Sequence, residues 1–166
     1  MQNQIELRIV EDIFKPALLN YTLPPEQIPF TALPRQVFER LNARNAAGDF
    51  NAFPISILWK DQVVGMFVLD KGEDLQLWTD NPNAFFLRSL SINPDYQQKG
   101  IAKQAMLLLP HFIGTHFASF GIGEIVLGVN MNNTIAKRLY SQIGFRELGF
   151  NMNPPFVGQI IMKWNF

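Results

Sequence analysis

Hydrophobic and polar positions change their period several times along the chain, and each change marks an element. "IELRIV" (5–10) alternates well enough to predict a first strand. Residues 11–34 carry Pro16, Pro24, Pro25, Pro29 and Pro34, so short helical pieces and loops are expected there. In "PRQVFERLNAR", Pro34 suits a first helical turn, and Val37, Phe38 and Leu41 fall on one face. "FPISILW" and "VVGMFVLD" are apolar strands separated by "KDQ", a β-hairpin. "KGEDLQLWTDNPN" is polar and turn-rich and reads as a connecting loop. "AFFLRSLSI" (Ala84 to Ile92) is a third long strand, stopped by Pro94.

From Gly100 the period becomes helical. "GIAKQAMLLL" sets Ile101, Ala105, Leu108 and Leu109 on a common face, and Pro110 must kink or restart the helix before it reaches "GIG" at 121–123. "EIVLGVN" is a strand. "NNTIAKRLYSQIG" is a helix with an Asn cap, an apolar set at Ile135, Ala136, Leu139 and Ile143, and Gly144 at its end. "FRELGF" and "GQIIMKW" form a closing hairpin around "NMNPPFV". The order β, helices, β-β-β, α, β, α, β-β predicts a mixed α/β (α+β) layer architecture in one domain, with helices on both faces of a central sheet.

Composition adds bounds. Of 166 residues 48% are hydrophobic, with 15 Phe, enough for a sizeable core. Fourteen basic residues balance fourteen acidic ones, which argues against a dedicated nucleic-acid binder. The absence of cysteine excludes disulfides, zinc–thiolate sites and cysteine nucleophiles. "MQNQIELRIV" has no basic region followed by a long apolar stretch, and no apolar run reaches the ~20 residues that span a bilayer, so a soluble cytoplasmic protein is expected.

The candidate chemistry sits at "NPDYQQKGIAKQAM" (93–106), where a strand ends, a loop follows and a helix begins near Gly100. Unpartnered N–H groups and the helix dipole make such a junction an anion site, suited to phosphate, and Gly100 with small Ala102 leaves the backbone open to approach. A glycine that only makes the turn is an equal alternative on the local pattern. No Gly-Lys-Ser/Thr follows, so this is not a P-loop, and one glycine does not make a dinucleotide fingerprint.

"LSINPDYQQKGIAKQAM" resembles motif A of the GNAT superfamily of acyl-CoA-dependent N-acetyltransferases, Gln/Arg-x-x-Gly-x-Gly/Ala, matched by Gln97, Gly100 and Ala102. Downstream, "VNMNNTIAKRLYSQIGF" resembles the family's Asn-x-x-Ala-x-x-Leu-Tyr-x-x-x-Gly-Phe segment, with Asn133, Ala136, Leu139, Tyr140, Gly144 and Phe145 in register. The resemblance runs from about Phe53 to Trp164 and is loose before that. It implies a central mixed, mostly antiparallel sheet of about six to seven strands.

The resemblance also implies roles. Acetyl-CoA would be the co-substrate, with no metal. The N–H groups of Gln98, Lys99, Gly100, Ile101 and Ala102 would hold the pyrophosphate, with Gln97 opening the loop. Leu90 and Ile92 would offer backbone groups to the pantetheine arm, and the Leu90 N–H would face the developing oxyanion. The strands Ala84–Ile92 and Glu124–Asn130 must splay to admit the arm. Tyr140 matches the general acid that protonates the leaving thiolate; read from the residues alone it is a half-buried aromatic on an amphipathic helix. Asn133 contacts the cofactor or caps the helix.

An alkyl ammonium is only about one part in two thousand neutral at pH 7, so the site must favour the free amine. Some family members carry a glutamate base on the strand before the loop; Phe86 stands there here, and the base is unidentified. Glu73, Asp74 and Asp80 are candidates as water partners or amine-recognition groups, or simply a solvated loop. His111 and His116 fall in the helix after motif A, away from the acetyl group. Trp59, Trp78 and Trp164 read as packing, although Trp78 lies in a loop within reach of the acceptor. The expected activity is acetyl transfer to a primary amine, small-molecule or peptide, with no nucleic-acid or membrane partner and a homodimer allowed. A non-catalytic acyl-CoA-binding module is the alternative, and an unrelated phosphate-binding scaffold requires both motifs to be coincidence.

Overall fold

A computed structural model describes residues 4–166, without the Glu73 side chain. Seven strands form one sheet: β1 (Ile5–Ile9), β2 (Ala52–Trp59), β3 (Gln62–Asp70), β4 (Ala84–Ile92), β5 (Glu124–Val129), β6 (Arg146–Phe150) and β7 (Ile160–Asn165), in the order β1-β2-β3-β4-β5-β7-β6. All neighbours are antiparallel except β4 and β5. The expected mixed, mostly antiparallel sheet is therefore present. The closing hairpin is also present, but its second strand inserts between β5 and β6, leaving β6 at the edge with every residue exposed.

The side-chain alternation of the strands sorts the helices onto two faces. Ile55, Ile57, Phe67, Leu69, Phe85, Leu87, Ile125 and Leu127 point to one face. There they pack with α3 (Ile101–Leu107), α4 (Leu109–His116) and α5 (Thr134–Ile143) in one core. Met66 and Val68 point to the other, where Leu18 of α1 (Lys15–Leu19) and Val37, Phe38 and Leu41 of α2 (Pro34–Ala46) cover them. The expected α2 stripe is thus the buried one. The break between α3 and α4 falls at Leu108, just ahead of Pro110, because proline has no N–H to continue the first helix and fits the first turn of the second.

Two expectations need correction. "KGEDLQLWTDNPN" is not a plain loop: Glu73–Leu77 forms a short 3₁₀ helix, and Leu75 and Trp78 are buried in a third cluster with Ala84, Phe86 and Val126. Its polar residues masked two anchors. In α5 one member of the expected apolar set is misplaced: Ile135 is 84% exposed, whereas Ile143 is buried and Ala136 and Leu139 partly so, with Tyr140 buried beside them. Positions 136, 139/140 and 143 follow the helical period, and Ile135 falls off that stripe in the first turn.

Candidate active site

β4 and β5 pair only at Ala84–Glu124, Phe85–Ile125 and Phe86–Val126, then part. Beyond that point β4 stays on β3 as far as Ile92, and β5 stays on β7 as far as Val129. The expected splay of these strands is therefore observed. A β-bulge accompanies it: β3 register passes from Met66↔Ser91 to Val68↔Arg88, so two residues, Ser89 and Leu90, lie opposite Phe67 alone. Ser89 takes φ 59°, a left-handed conformation unusual for a residue with a side chain.

Motif A lies at the end of β4. A 3₁₀ turn at Pro94–Tyr96, capped by Asn93 accepting from the Asp95 N–H at 3.0 Å, leads through Gln97 into two left-handed residues, Gln98 (φ 61°) and Gly100 (φ 74°). Gly100 is the residue before α3. A Cβ there would meet only the Gln104 side chain, at 3.7 Å. The backbone conformation therefore accounts for the glycine, and the space above it is open to a ligand. Lys99 and Gly100 are exposed, Ile101 is buried and Ala102 partly so.

The carbonyls of Leu90 and Ile92 each hold one side-chain donor. Thr31 Oγ1 donates to Leu90 O at 3.2 Å and Gln97 Nε2 to Ile92 O at 2.8 Å. Gln97 also exchanges hydrogen bonds of 3.0 and 2.9 Å with Gln27, and Tyr21 Oη is 2.8 Å from Ser91 Oγ. Residues 21–31 are thereby fastened along the C-terminal half of β4. Sequence reasoning missed these contacts, since polar residues in a proline-rich stretch announce no partner. Burial pushes the Tyr21 phenol up to about 12, with the Ser91 contact opposing it.

Tyr140 lies on α5, which leaves the end of β5 and packs beside α3. It is 8% exposed and meets Phe145 edge-on at 5.3 Å. Its hydroxyl makes no hydrogen bond among the described residues, and desolvation raises its pKa well above the ordinary phenol value. Asn133 caps α5, its Oδ1 accepting from the Ala136 N–H at 3.3 Å, which supplies the capping half of the expected alternatives.

On the opposite face from α3 and α5, Phe86 is buried under Trp78, stacked at 4.8 Å and 28°. Trp78 is 3% exposed and so is no loop residue free to reach an acceptor. Phe156 packs on its ring at 4.8 Å, and its edge fills the space above Gly128, where a Cβ would lie 2.1 Å from Cη2. Arg88 lies over the Phe86 ring at 4.7 Å. Buried Asp70 accepts two hydrogen bonds of 2.6 and 3.0 Å from Arg44 and one of 2.8 Å from the Gly72 N–H, and it forms an ion pair with Arg88, whose Nε lies 3.2 Å away without hydrogen-bond geometry. Asp74 pairs with Arg88 at 3.5 Å, so it is half of an ion pair and not a free carboxylate; Asp80 is exposed, and the Glu73 side chain lies outside the described residues. An arginine inside "AFFLRSL" and an aspartate ending "VVGMFVLD" were the signal for this cluster.

His111 and His116 face Glu6 across a cleft of about 260 Å³ between β1 and α4, remote from the splay. Trp59 meets Tyr96 edge-on at 5.9 Å, and Trp164 packs on Phe145 at 5.5 Å, both as structural contacts.

A sequence profile of the acetyltransferase (GNAT) family matches residues 15–145. The chain belongs to the acetyltransferase (GNAT) family. This acetyltransferase is 36% identical over 163 residues to the uncharacterized N-acetyltransferase YbbJ of Bacillus subtilis (strain 168), covering 98% of each chain. Among solved structures it resembles the aminoglycoside acetyltransferase AAC(6')-Ib in complex with coenzyme A. The TM-score is 0.75 at 14% identity, over 97% of this chain and 94% of that one. Spermidine N-acetyltransferase from Vibrio cholerae, in complex with CoA and spermine, gives a TM-score of 0.66 at 16% identity over 96% and 93%. At these identities the structural likeness speaks for the fold. Family membership makes the chain an N-acetyltransferase.

Proposed function

We propose that the enzyme transfers the acetyl group of acetyl-CoA to a primary amine by direct attack on the thioester, at the opening between β4 and β5. The observation that carries this reading is the parting of the two strands beyond Phe86–Val126, with the motif A loop at the end of one and the Tyr140 helix at the end of the other. The pyrophosphate lies on the N–H groups from Gln98 to Ala102, where Gly100 leaves open space. The pantetheine arm runs along Leu90 and Ile92. Each of their carbonyls has a second lone pair beyond the one used by Thr31 or Gln97.

The neutral amine adds to the carbonyl carbon, the oxygen gains charge opposite the Leu90 N–H, and the carbon–sulfur bond breaks. Tyr140 gives its proton to the thiolate and regains one from the acylated nitrogen through water. Asn133 borders the same end of the opening, with Nδ2 as its remaining donor toward the cofactor.

Purified protein with acetyl-CoA and a panel of primary amines tests the reading by release of free thiol. Coenzyme A alone should raise Tm by mass action, and Gly100→Glu should abolish the shift, because a carboxylate would occupy the phosphate position. A folded Gly100→Glu variant that still binds removes the pyrophosphate assignment. Binding without thiol release for any amine makes the chain an acyl-CoA-binding module.

A further inference from the structure

We infer that the acceptor is a monoamine carried on an apolar or aromatic body, not a polyamine or an aminoglycoside. The inference rests on acetyl transfer at the β4–β5 opening and adds to it the class of acceptor.

The face from which the amine arrives follows from the layers. Helices α3, α4 and α5 cover one face of the sheet in a continuous core that includes Phe85, Leu87, Leu127 and Val129. A thioester held in the opening is therefore approached from the other face. The floor there is aromatic: Phe86, at the last paired position of β4, lies beneath Trp78, and Phe156 packs on Trp78.

Two segments rim this floor. Residues 21–31 are tied to β4 and motif A through Tyr21, Gln27 and Thr31. Residues 151–159 are tied to the 3₁₀ helix by Asn151 and Asn153, both donating to Leu77 O, at 2.9 and 3.2 Å. The first segment exposes Ile28 (46%) and Phe30 (40%), the second Met152 (75%) and Val157 (57%).

Charge on the rim is nearly absent. Residues 151–159, "NMNPPFVGQ", carry no side chain charged at neutral pH, and residues 21–31, "YTLPPEQIPFT", carry Glu26 as their one charge. Among the described side chains, the carboxylates behind the rim at the level of the opening are paired, Asp49 and Asp70 with Arg44, Asp70 and Asp74 with Arg88; the exposed Asp80 precedes the start of β4, at the end where β4 and β5 stay paired. A rim with one acid has no partners for the second and third ammonium groups of a polyamine or aminoglycoside, and desolvating an unpaired charge is costly. An apolar body gains instead from every methylene it buries.

The test is thiol release from acetyl-CoA across butylamine, hexylamine, phenethylamine, spermidine, kanamycin and a polar hexapeptide with a free N-terminus. kcat/KM should rise by about two- to fourfold per methylene along the alkylamines, and phenethylamine should exceed spermidine by about tenfold or more. Preference for spermidine, kanamycin or the peptide overturns the inference and leaves acetyl transfer standing. Coenzyme A binding with no thiol release in any arm overturns both. A second arm uses Met152→Glu with Val157→Glu, two exposed positions whose change leaves the core intact. The ratio of spermidine to phenethylamine should rise by about tenfold. An unchanged ratio in this folded variant overturns the rim assignment.

Discussion

Tyr140→Phe separates catalysis from packing unusually well, because the hydroxyl has no protein partner to lose. The ring is 8% exposed and stays edge-on to Phe145 at 5.3 Å in either residue. With no hydrogen bond broken, stability should change by no more than about 0.5 kcal/mol in urea unfolding. If the hydroxyl supplies the proton to the leaving thiolate, turnover should fall about 10²-fold or more, the range for a lost general acid. That loss is about 2.7 kcal/mol of transition-state stabilisation, at about 1.36 kcal/mol per decade. KM for acetyl-CoA should move far less, since motif A and the pantetheine strand are untouched. Burial also raises the phenol's pKa, so the proton stays on Tyr140 through the working range. The rate should climb with pH as the amine deprotonates, with no descending limb from this residue below about pH 10. Steady-state thiol release decides: near-normal turnover by Tyr140→Phe assigns the tyrosine to packing. A wild-type decline below about pH 10 that vanishes in Tyr140→Phe contradicts the raised pKa.

Asp70→Ala should cost about 3–5 kcal/mol in urea unfolding, because it leaves the Arg44 and Arg88 guanidinium groups facing one another without the buried carboxylate between them. A loss under about 1 kcal/mol would show that solvent screens the two arginines. The buried phenols give an alkaline signature: their folded pKa values lie above the unfolded value of about 10, with Tyr21 at about 12. The stability they contribute is fully present below about pH 10 and lost as pH rises toward those folded values. Tm should therefore fall from about pH 10 upward and fall less in Tyr21→Phe; equal slopes in the two proteins contradict the assignment to Tyr21.

The strands and long helices were legible in the sequence because each carries its own period. Ala84–Ile92 was read to the residue, since an apolar run bounded by Asn83 and Pro94 has one reading. Val37, Phe38 and Leu41 declared the buried side of α2 by helical spacing. Motif A and the Tyr140 segment pointed to the candidate site through their resemblance to the family's motifs, in which residue types recur at fixed intervals. What stayed hidden depends on distant partners. Trp78 looked like a loop residue because its neighbours are polar; the ring's place is set by Phe86, Gly128 and Phe156, far away along the chain. The Gln27–Gln97 and Tyr21–Ser91 contacts join positions 70 apart. No local pattern encodes them. The Ile135 error had a different cause: near a helix start, one residue decides which face an apolar side chain joins.

The opening itself follows from two competing demands on backbone hydrogen bonding. β4 keeps its outer partner, β3, to Ile92, and β5 keeps its outer partner, β7, to Val129. Each strand therefore remains anchored on one side while the pairing between them stops at Phe86–Val126. The bulge at Ser89 and Leu90 lets β4 bend away without leaving β3, at a cost of about 1–3 kcal/mol for the left-handed serine. The edges that part still carry backbone polar groups, and such groups need partners when buried. Thr31 and Gln97 supply one donor each, to Leu90 O and Ile92 O. These are side chains from outside the sheet standing where a neighbouring strand would have been. On the proposed reading, the pantetheine arm completes what they begin, because its amides offer the alternating donors and acceptors that the missing half of the β4–β5 ladder would have supplied. Strand separation, bulge and side-chain donors are then parts of one device, a parallel strand pair opened far enough to accept a flexible amide chain and reach its thioester.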